Sequence, residues 1–449
     1  MEVTYRGFLL LLLSGVLLGL YVWTGSNTYL HSSIILLSLL VLARVLAETY
    51  YNIASTLELE RLIPPTLEEG SPYDVTLVVR NNSRIPIIGL ELYDSPPQLF
   101  RVHKKPMWIA AIGGLGTALF RYRVEPRIGR HCFGRVTLIL RDPLTLTYAK
   151  LQVEAHPRCV KVSPKTPSVK TLARVAASVP YMGPSTRRRG WGSSFLFIRE
   201  YVEGDELRSI DWKALARLGR PMVKVYESEK ALSVYIILPV TATLMQGRVG
   251  NTKFDAAIRI AATLSRYYAI RGDLVGLAVI LPDGTVIPVK PARGRAVYKR
   301  IVSILSSIEP PLDSLPNRWE DYRPIVEALR RRVSLLLGRE RHFIVFITDS
   351  KDLIENVRSE ILPIILKNAL GGAVIYLYTP LFEAEALPEA EALKTRLRFL
   401  KELFSETSQL RGKLAPYGFN VLGVGPRTPL QEIPRSIELG AERVRVWYA

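Results

Sequence analysis

The stretch Ala231-Leu-Ser-Val-Tyr-Ile-Ile-Leu238 is a near-continuous apolar run, and it opens a regular alternation of strand and helix patterns. Strand patterns follow at residues 274–281, 342–348, 373–378 and 420–424, and helical patterns lie between them at 252–271, around 293–308, 319–337, 352–369 and about 383–414. Strands buried on both faces lack polar alternation, and strands that alternate with helices build parallel sheets. Residues 230–449 are therefore predicted to form an α/β domain with a mostly parallel, doubly wound sheet.

The preceding residues, 53–165, have the pattern of an all-β module. Residues 74–80 read as a strand that ends at the turn Asn81-Asn82-Ser83, and residues 119–124 and 135–140 alternate in polarity. Short strands separated by frequent Pro and Gly are typical of β-sandwiches. We expect a sandwich-like module that serves as a binding unit or spacer, because it shows no catalytic constellation.

Two apolar segments open the chain. Residues 7–23 carry no charge, and residues 29–46 carry only Arg44 near their end. Each is close to the length of about 20 residues that spans a bilayer. Arg6, Arg44 and Arg61 flank the segments on one side, while the turn at 24–28 is uncharged, so the positive-inside rule places both termini in the cytoplasm. Residues 1–52 are predicted to be a transmembrane helical hairpin in the cell membrane. A cleaved signal peptide and a buried helical hairpin are the alternatives.

Residues 166–229 link the two halves and contain the run Arg199-Glu-Tyr-Val-Glu-Gly-Asp-Glu-Leu-Arg-Ser-Ile-Asp-Trp-Lys-Ala-Leu-Ala-Arg217. Charges mixed this closely with aromatic residues predict a specified ion-pair cluster, because buried charges must be paired. Gly204-Asp205 reads as a turn, with Asp205 as N-cap of a short helix. Tyr201 and Trp212 are expected to pack at the domain junction.

The same run carries a resemblance. The residues at fixed spacing are Gly192, Phe195, Arg199, Tyr201, Gly204, Asp205, Arg208, Ile210, Asp211, Trp212, Ala216 and Arg217. This pattern resembles the signature of the family called domain of unknown function 58. The resemblance implies membrane-anchored proteins with a β-rich domain and a von Willebrand factor type A-like domain, which are associated with MoxR-type AAA+ ATPases. We expect the interaction surface to lie on this motif, formed by Arg199, Tyr201, Gly204, Asp205, Arg208, Asp211, Trp212 and Arg217, together with the sheet edge near Thr241, Thr243 and Asp349.

The resemblance to a type A-like domain raises the question of a metal site. Such domains often hold Mg²⁺ through Asp-x-Ser-x-Ser after the first strand, and Mg²⁺ prefers hard oxygen ligands. Here the matching run is Pro239-Val-Thr241-Ala-Thr243, in which Pro239 replaces the leading carboxylate, and Asp349 matches the late acidic position. Thr241, Thr243 and Asp349 are thus the candidate ligands of a degenerate Mg²⁺ site. One carboxylate and two hydroxyls make a weak site, and an empty site in which the Thr side chains cap the adjoining turn is the favoured interpretation.

Charge and cysteine content narrow the class of protein. The formal net charge of +19 would attract either the anionic inner leaflet of a membrane or nucleic acid. Nucleic acid is an unlikely partner, because the sequence has no aromatic-rich basic motifs. The two cysteines, Cys132 and Cys159, form neither a zinc framework nor a disulfide scaffold pattern, and reduced thiols are expected for a cytosolic domain.

The leading hypothesis is a non-enzymatic adaptor: a membrane-anchored interaction protein that faces the cytoplasm and, by resemblance, partners a MoxR-type AAA+ ATPase in the assembly or maturation of an unknown client. A metal-dependent hydrolase that uses Glu200, Asp205 and Asp211 is the alternative. Arg199, Arg208 and Arg217 argue against it, since they lie equally close in sequence and would neutralise the carboxylates. A nucleic-acid-binding protein is the third hypothesis.

Overall fold

The structure is a computed structural model that describes residues 2–142, 144–179, 185–203, 205–229, 231–311, 323–337, 341–356, 369–387 and 389–448. The chain divides into two compact units. The first comprises 1–163 with 306–309, and the second comprises 164–305 with 310–449. The predicted hairpin and β module therefore belong to the first unit, and the motif segment belongs to the second unit together with the predicted α/β domain.

Two long helices, Tyr5–Thr24 and Asn27–Ala54, open the first unit. Thr4 caps the first helix by accepting a hydrogen bond from Gly7 N, and Gly25 ends it in the left-handed conformation. Both helices are long and apolar enough to cross a membrane, and only 11 % and 17 % of their most apolar windows are buried. Their apolar side chains therefore point outward, which is the reverse of a core helix in a soluble protein.

The rest of the first unit is built of short strands: β1 (Glu2–Val3), β2 (Glu58–Leu62), β3 (Thr66–Glu68), β4 (Tyr73–Arg80), β5 (Ile87–Tyr93), β6 (Arg101–Val102), β7 (Met107–Ile112), β8 (Thr117–Glu125), β9 (Gly129–Cys132), β10 (Val136–Arg141), β11 (Thr147–Val153) and β12 (Cys159–Ser163). Within the described residues they form sheets in the orders β1-β11-β10-β5-β7, β2-β4-β8-β6 and β3-β12-β9. One core lies between the first two sheets, where Leu77 and Val79 of β4 pack with Leu90 of β5 and Leu138 of β10. This is the sandwich-like arrangement that the alternating polarity indicates.

The hairpin is joined to this module at both ends. At the start, Glu2 and Val3 pair with Tyr148 and Thr147 of β11. At the other end, the second helix continues into the sandwich core, where Tyr50 and Ile53 are buried. Because both ends of the hairpin are built into the same module, the first helix begins and the second helix ends next to that module.

The two cysteines form a disulfide, so the prediction of reduced thiols is wrong. Cys132 on β9 and Cys159 on β12 are register partners in an antiparallel pair, with their Cα atoms 4.0 Å apart. A separation of 27 residues in the sequence gives no hint of this register, because it depends on how two distant strands pair.

The second unit contains strands β13 (Ser185–Glu200), β14 (Met222–Glu229), β15 (Ser233–Pro239), β16 (Gly247–Arg248), β17 (Asn251–Thr252), β18 (Leu274–Ile280), β19 (Val286–Ala292), β20 (His342–Thr348), β21 (Ala369–Leu377) and β22 (Phe419–Val424). Its helices are Val169–Ser178, Trp212–Leu218, Lys253–Arg271, Arg295–Leu305, Arg323–Ala328, Ser334–Leu337, Lys351–Asn356, Thr379–Glu383, Glu389–Leu414 and Glu432–Tyr448, with a π-helical turn at Leu329–Val333. Shorter 3₁₀ turns cover Leu207–Ser209, Ala242–Met245, Ala384–Ala386 and Ala415–Tyr417.

A six-stranded sheet in the order β19-β18-β15-β20-β21-β22 organises this unit within the described residues. All neighbours pair in parallel except β18 and β19. The chain runs from β15 to β18 on one side and then to β20 on the other, so the strand order reverses between β15 and β20. Ligand sites in such sheets lie outside the carboxyl ends of the strands at this reversal.

Candidate functional site

The motif segment folds as a hairpin with a small helical insert. β13 and β14 pair in an antiparallel hairpin, which within the described residues is a sheet of its own. The 3₁₀ turn Leu207–Ser209 and the helix Trp212–Leu218 lie between these two strands. Asp211, rather than Asp205, is the N-cap of that helix, because its carboxylate accepts hydrogen bonds from Lys213 N and Ala214 N.

Arg199 and Asp205 form the central ion pair of the motif. Arg199 Nη1 and Nη2 lie 2.6 and 2.5 Å from the two carboxylate oxygens of Asp205, in a bidentate arrangement. The same carboxylate accepts a hydrogen bond from Val202 N at 2.9 Å, which closes the intervening turn. The hydrogen bond that Arg199 donates to Asp205 raises the pKa of the Arg199 guanidinium. Asp205 therefore holds the backbone of the motif in place.

The three carboxylates of the alternative hydrolase hypothesis are engaged separately. Glu200 pairs with Arg220 at 2.5 Å, and Asp211 pairs with Lys224 at 3.4 Å. Asp205 is occupied by Arg199. A two-metal centre needs carboxylates that converge on shared ions. Each of these carboxylates instead has a cationic partner of its own.

Large apolar side chains of the motif, and that of Leu218 directly after it, are exposed. The exposed fractions are 60 % for Val202, 69 % for Leu207, 64 % for Trp212 and 56 % for Leu218. The expectation that Trp212 is a packed residue is therefore wrong, and Tyr201 is only half-buried. The ion pairs and the cap fix the backbone, and this leaves the apolar side chains outside. We call Val202, Leu207, Trp212 and Leu218 the motif surface.

The predicted interaction surface also includes Arg217, Gly204 and Arg208. Arg217 is exposed in the last turn of the helix Trp212–Leu218, where a cation is favourable to the helix dipole. Gly204 lies outside the described residues, and so does the side chain of Arg208.

The second predicted site lies at the reversal of strand order. Thr241 follows β15 and Asp349 follows β20. Thr241 Oγ1 lies 2.9 Å from Thr243 Oγ1 and donates to Asp349 Oδ1 at 3.3 Å. The Thr241 side chain makes no cap to the turn Ala242–Met245. The sheet thus brings together the three side chains that the sequence places at this edge.

A buried lysine occupies the centre of this group. The Nζ atom of Lys253, which is fully buried, lies 2.6 Å from Asp349 Oδ2, 2.8 Å from Gln246 Oε1 and 2.7 Å from Thr379 Oγ1. An ammonium has three protons to donate. Lys253 therefore has an acceptor for each of them, and one of these acceptors is the only carboxylate of the predicted metal ligands. Burial lowers the pKa of Lys253, while Asp349 acts in the opposite direction. We call Lys253, Asp349, Gln246 and Thr379 the lysine site.

The donor set of the lysine site does not fit Mg²⁺. The ion prefers octahedral oxygen ligands and carboxylates. Asp349 is already neutralised by Lys253, and Pro239 stands where a second carboxylate would be needed. Within the residues that the structure describes, no group of three or more His, Cys, Asp or Glu side chains could hold a metal ion.

Sequence reasoning missed Lys253, although a signal was present. The helix Lys253–Arg271 begins with a capping box between Thr252 and Asp255, and Lys253 is its first residue. A cation at a helix N-terminus opposes the helix dipole. Such a residue needs a compensating partner, which here is Asp349.

The comparisons with known proteins show similarity, over part of the chain, to a family of unknown function. A family model described as a protein of unknown function, DUF58, matches residues 197–337, which include most of the motif. Uncharacterized proteins of Mycobacterium tuberculosis and Mycobacterium bovis are 27 % identical over 95 residues. The match covers 21 % of this chain and 29 % of those proteins, so the chain spans less than a third of the relatives' length.

The likeness to two solved structures is weak. A CARDB domain from Pyrococcus furiosus is 12 % identical and matches 22 % of this chain and 93 % of its own, with a TM-score of 0.16. A Salmonella alpha-2-macroglobulin is 18 % identical over 25 % of this chain and 7 % of its own, with a TM-score of 0.20. These scores identify no shared fold. The chain is thus similar, over part of its length, to proteins of the family of unknown function DUF58.

Proposed function

We propose that this chain is a membrane-anchored interaction protein whose motif surface binds a partner protein. The exposure of Val202, Leu207, Trp212 and Leu218 on a frame fixed by Arg199, Asp205 and Asp211 carries the proposal. Exposed large apolar side chains held on a rigid frame are typical of protein-binding surfaces. The family resemblance suggests a MoxR-type AAA+ ATPase as the partner, with an unknown protein as the client.

The opening helices support the anchor. Their apolar side chains face outward, while the small residues Ser14 and Ser33 face each other, with Ser33 Oγ donating to Ser14 O at 3.0 Å. Small residues at the contact and apolar residues outside are the arrangement that helix pairs adopt in lipid. The pairing of β1 with β11 holds the first helix next to the folded module. A signal peptide would be cleaved off and would not stay attached to the module in this way.

Two observations bear on which side of the membrane the domains face. Arg6, Arg44 and Arg61 lie at the module end of the hairpin, and this bias favours the cytoplasm. The disulfide of Cys132 and Cys159 favours an oxidising compartment, except in hyperthermophiles, whose intracellular proteins retain disulfides. We propose the cytoplasmic orientation, because the charge bias acts directly on insertion.

The second unit is proposed to be a type A-like domain that works without a metal. The parallel sheet with its reversal between β15 and β20 supports the domain type. Lys253 supports the absence of a metal, because its ammonium takes the charge that Mg²⁺ would supply at Asp349. An adaptor of this kind would not depend on divalent ions for its fold.

The test is co-purification from membranes of the source organism. The full chain, solubilised in detergent, is captured as wild type, as Trp212→Ala and as Leu335→Ala, a control with 80 % exposure in the same unit. We expect the MoxR-type ATPase to co-purify with the wild-type chain and with Leu335→Ala. Most of the ATPase should be lost when Trp212→Ala is captured. Equal recovery with all three would reject the motif surface.

A further inference from the structure

A groove runs along the edge of the large sheet in the second unit at β22, which is the last strand of that sheet within the described residues. It lies between the edge strand β22 and the helix Glu389–Leu414 and has a volume of ≈ 690 Å³. Its apolar floor includes Leu400, Leu403 and Phe404, and Phe404 is 74 % exposed. An exposed aromatic side chain beside an open strand edge is a feature that soluble domains usually cover.

The edge strand turns one row of its backbone groups toward this groove. Val424 O accepts from Tyr378 N, and Gly418 O accepts from Gly372 N, so the even-numbered residues bond to β21. The odd-numbered residues, Val421 and Gly423 among them, therefore face the other way. Arg411 Nη2 donates to Val421 O at 3.0 Å, in the position that a donor from an added strand would take. The outer edge of β22 thus accepts hydrogen bonds from outside the sheet.

The groove is basic. Arg396, Arg411 and Arg427 line it, and none of its described lining residues is Asp or Glu. The nearby acids of the helix are engaged away from it, since Glu402 pairs with Arg398 and Glu406 pairs with Lys351. Glu385 pairs with Arg427 at the rim, at 3.3 Å. Arg411 gives its hydrogen bond to a neutral carbonyl, so its charge is not neutralised there.

We propose that this groove binds an extended acidic segment of a partner protein. Arg396 and Arg411 are fifteen positions apart, which is about 22 Å along a helix. An extended peptide covers that distance in about seven residues. The segment would thus carry acidic side chains about six residues apart, with an apolar side chain between them against Leu400 and Phe404. Its backbone would lie along β22 at Gly423, which is the mode of strand addition.

Nucleic acid fits the groove less well. A phosphate backbone needs a continuous track of cations, with aromatic platforms for the bases. Between Arg396 and Arg411, the helix side chains that line the groove are Leu400, Leu403, Phe404, Thr407 and Ser408, which include no cation and one aromatic ring. The proposal rests on the proposed function only in that an interaction protein has a client, and it does not depend on which ATPase is the partner.

The experiment measures binding of a labelled peptide to the full chain in lipid nanodiscs. The probe is a fluorescein-labelled extended peptide with two Glu six positions apart and Val, Leu and Thr between them. Fluorescence anisotropy should give a Kd at least tenfold weaker for Arg396→Glu and several-fold weaker for Phe404→Ala. Arg398→Glu is the matched control on the same helix, and it should bind within twofold of wild type.

Several outcomes would overturn the proposal. They are equal Kd values for Arg396→Glu and Arg398→Glu, equal binding of a peptide with Lys in place of Glu, and competition by a single-stranded oligonucleotide at lower concentration than the peptide. The last result would assign the groove to nucleic acid. Thermal melts of each variant separate loss of binding from loss of folding. Co-purification with the ATPase is measured separately with the variant Trp212→Ala, so the failure of one proposal can be distinguished from the failure of the other.

Discussion

Lys253 Nζ lies 2.6 Å from Asp349 Oδ2, and both side chains are almost completely buried. Taking two charges out of water is costly, and it is tolerated when the pair also satisfies its remaining hydrogen-bonding groups. Gln246 and Thr379 satisfy the other protons of the ammonium, and Thr241 donates to the second carboxylate oxygen. The pair thereby links the loop after β15, the start of a helix and the ends of β20 and β21.

Removing one member of this pair should destabilise the protein strongly. Lys253→Ala leaves Asp349 buried without its cation, so we expect a loss of about 3–5 kcal/mol in the free energy of unfolding. Lys290→Ala, which removes an exposed lysine from the same unit, should change stability by less than about 0.5 kcal/mol. Denaturant titration of both variants measures the difference, and equal midpoints would refute the role of Lys253.

Magnesium should leave the wild-type protein unchanged. A ligand that binds only the folded state stabilises it by RT ln(1 + [L]/Kd) and so raises Tm. Because Lys253 already holds Asp349, we expect the same melting curve in millimolar MgCl₂ and in EDTA. A magnesium-dependent rise in Tm would show that the donors around Thr241 and Thr243 accept the ion after all.

The bidentate pair of Arg199 and Asp205 should hold the motif locally. Arg199→Ala removes both hydrogen bonds and frees the turn at Val202, so amide exchange across residues 199–218 should become faster. Arg199→Lys should restore the protection only in part, because an ammonium cannot make the same fork. Arg220→Ala breaks an exposed pair and is the control. Unchanged exchange in Arg199→Ala would remove the pair from this role.

Glu438 should make stability depend on pH. It is fully buried and accepts hydrogen bonds from Tyr267 and Arg271. Burial raises the pKa of Glu438 to about 7, although Arg271 acts to lower it. The folded state therefore binds a proton more tightly than the unfolded state, whose pKa is near 4.5. This contribution is fully present below pH 4.5 and is lost as the pH rises to about 7.

Melting curves between pH 4.5 and 7.5 test this sign. Glu438→Gln removes the titrating group and keeps a hydrogen-bonding side chain, so its Tm should fall less over this range than that of wild type. Glu432→Gln, an exposed position on the same helix, should follow wild type. Parallel curves for wild type and Glu438→Gln would mean that Arg271 keeps the carboxylate ionised.

The proposed cytoplasmic orientation of the β module predicts a labelling pattern. In a background with Cys132→Ser and Cys159→Ser, Ser26→Cys lies in the turn between the helices and Lys104→Cys lies exposed in the β module. A membrane-impermeant maleimide added to intact cells should label position 26 and reach position 104 only after permeabilisation. The opposite pattern would place the module outside the cytoplasm, in agreement with its disulfide.

The sequence predicts those features that depend on local periodicity. The apolar runs around 231–238 and 342–348 lie close to β15 and β20, and two helices long and apolar enough to span a membrane lie near 7–23 and 29–46. Features that depend on contacts between distant segments of the chain could not be predicted from the sequence. The register of β9 with β12 joins Cys132 to Cys159, and the loop after β15 delivers Gln246 to Lys253. The exposure of Trp212 could not be predicted either, because an aromatic residue among charged residues is equally typical of a buried position and of a binding surface.

A crosslink at position 212 tests the central claim most directly. A photoreactive phenylalanine analogue replaces Trp212 in the full chain, expressed in its own membrane, and a second variant carries the analogue at the exposed control position Leu335. Irradiation should give a product with the MoxR-type ATPase from position 212 and not from position 335. A product at neither position, or equal yields at both, would contradict the assignment of the motif surface as the binding site for this partner.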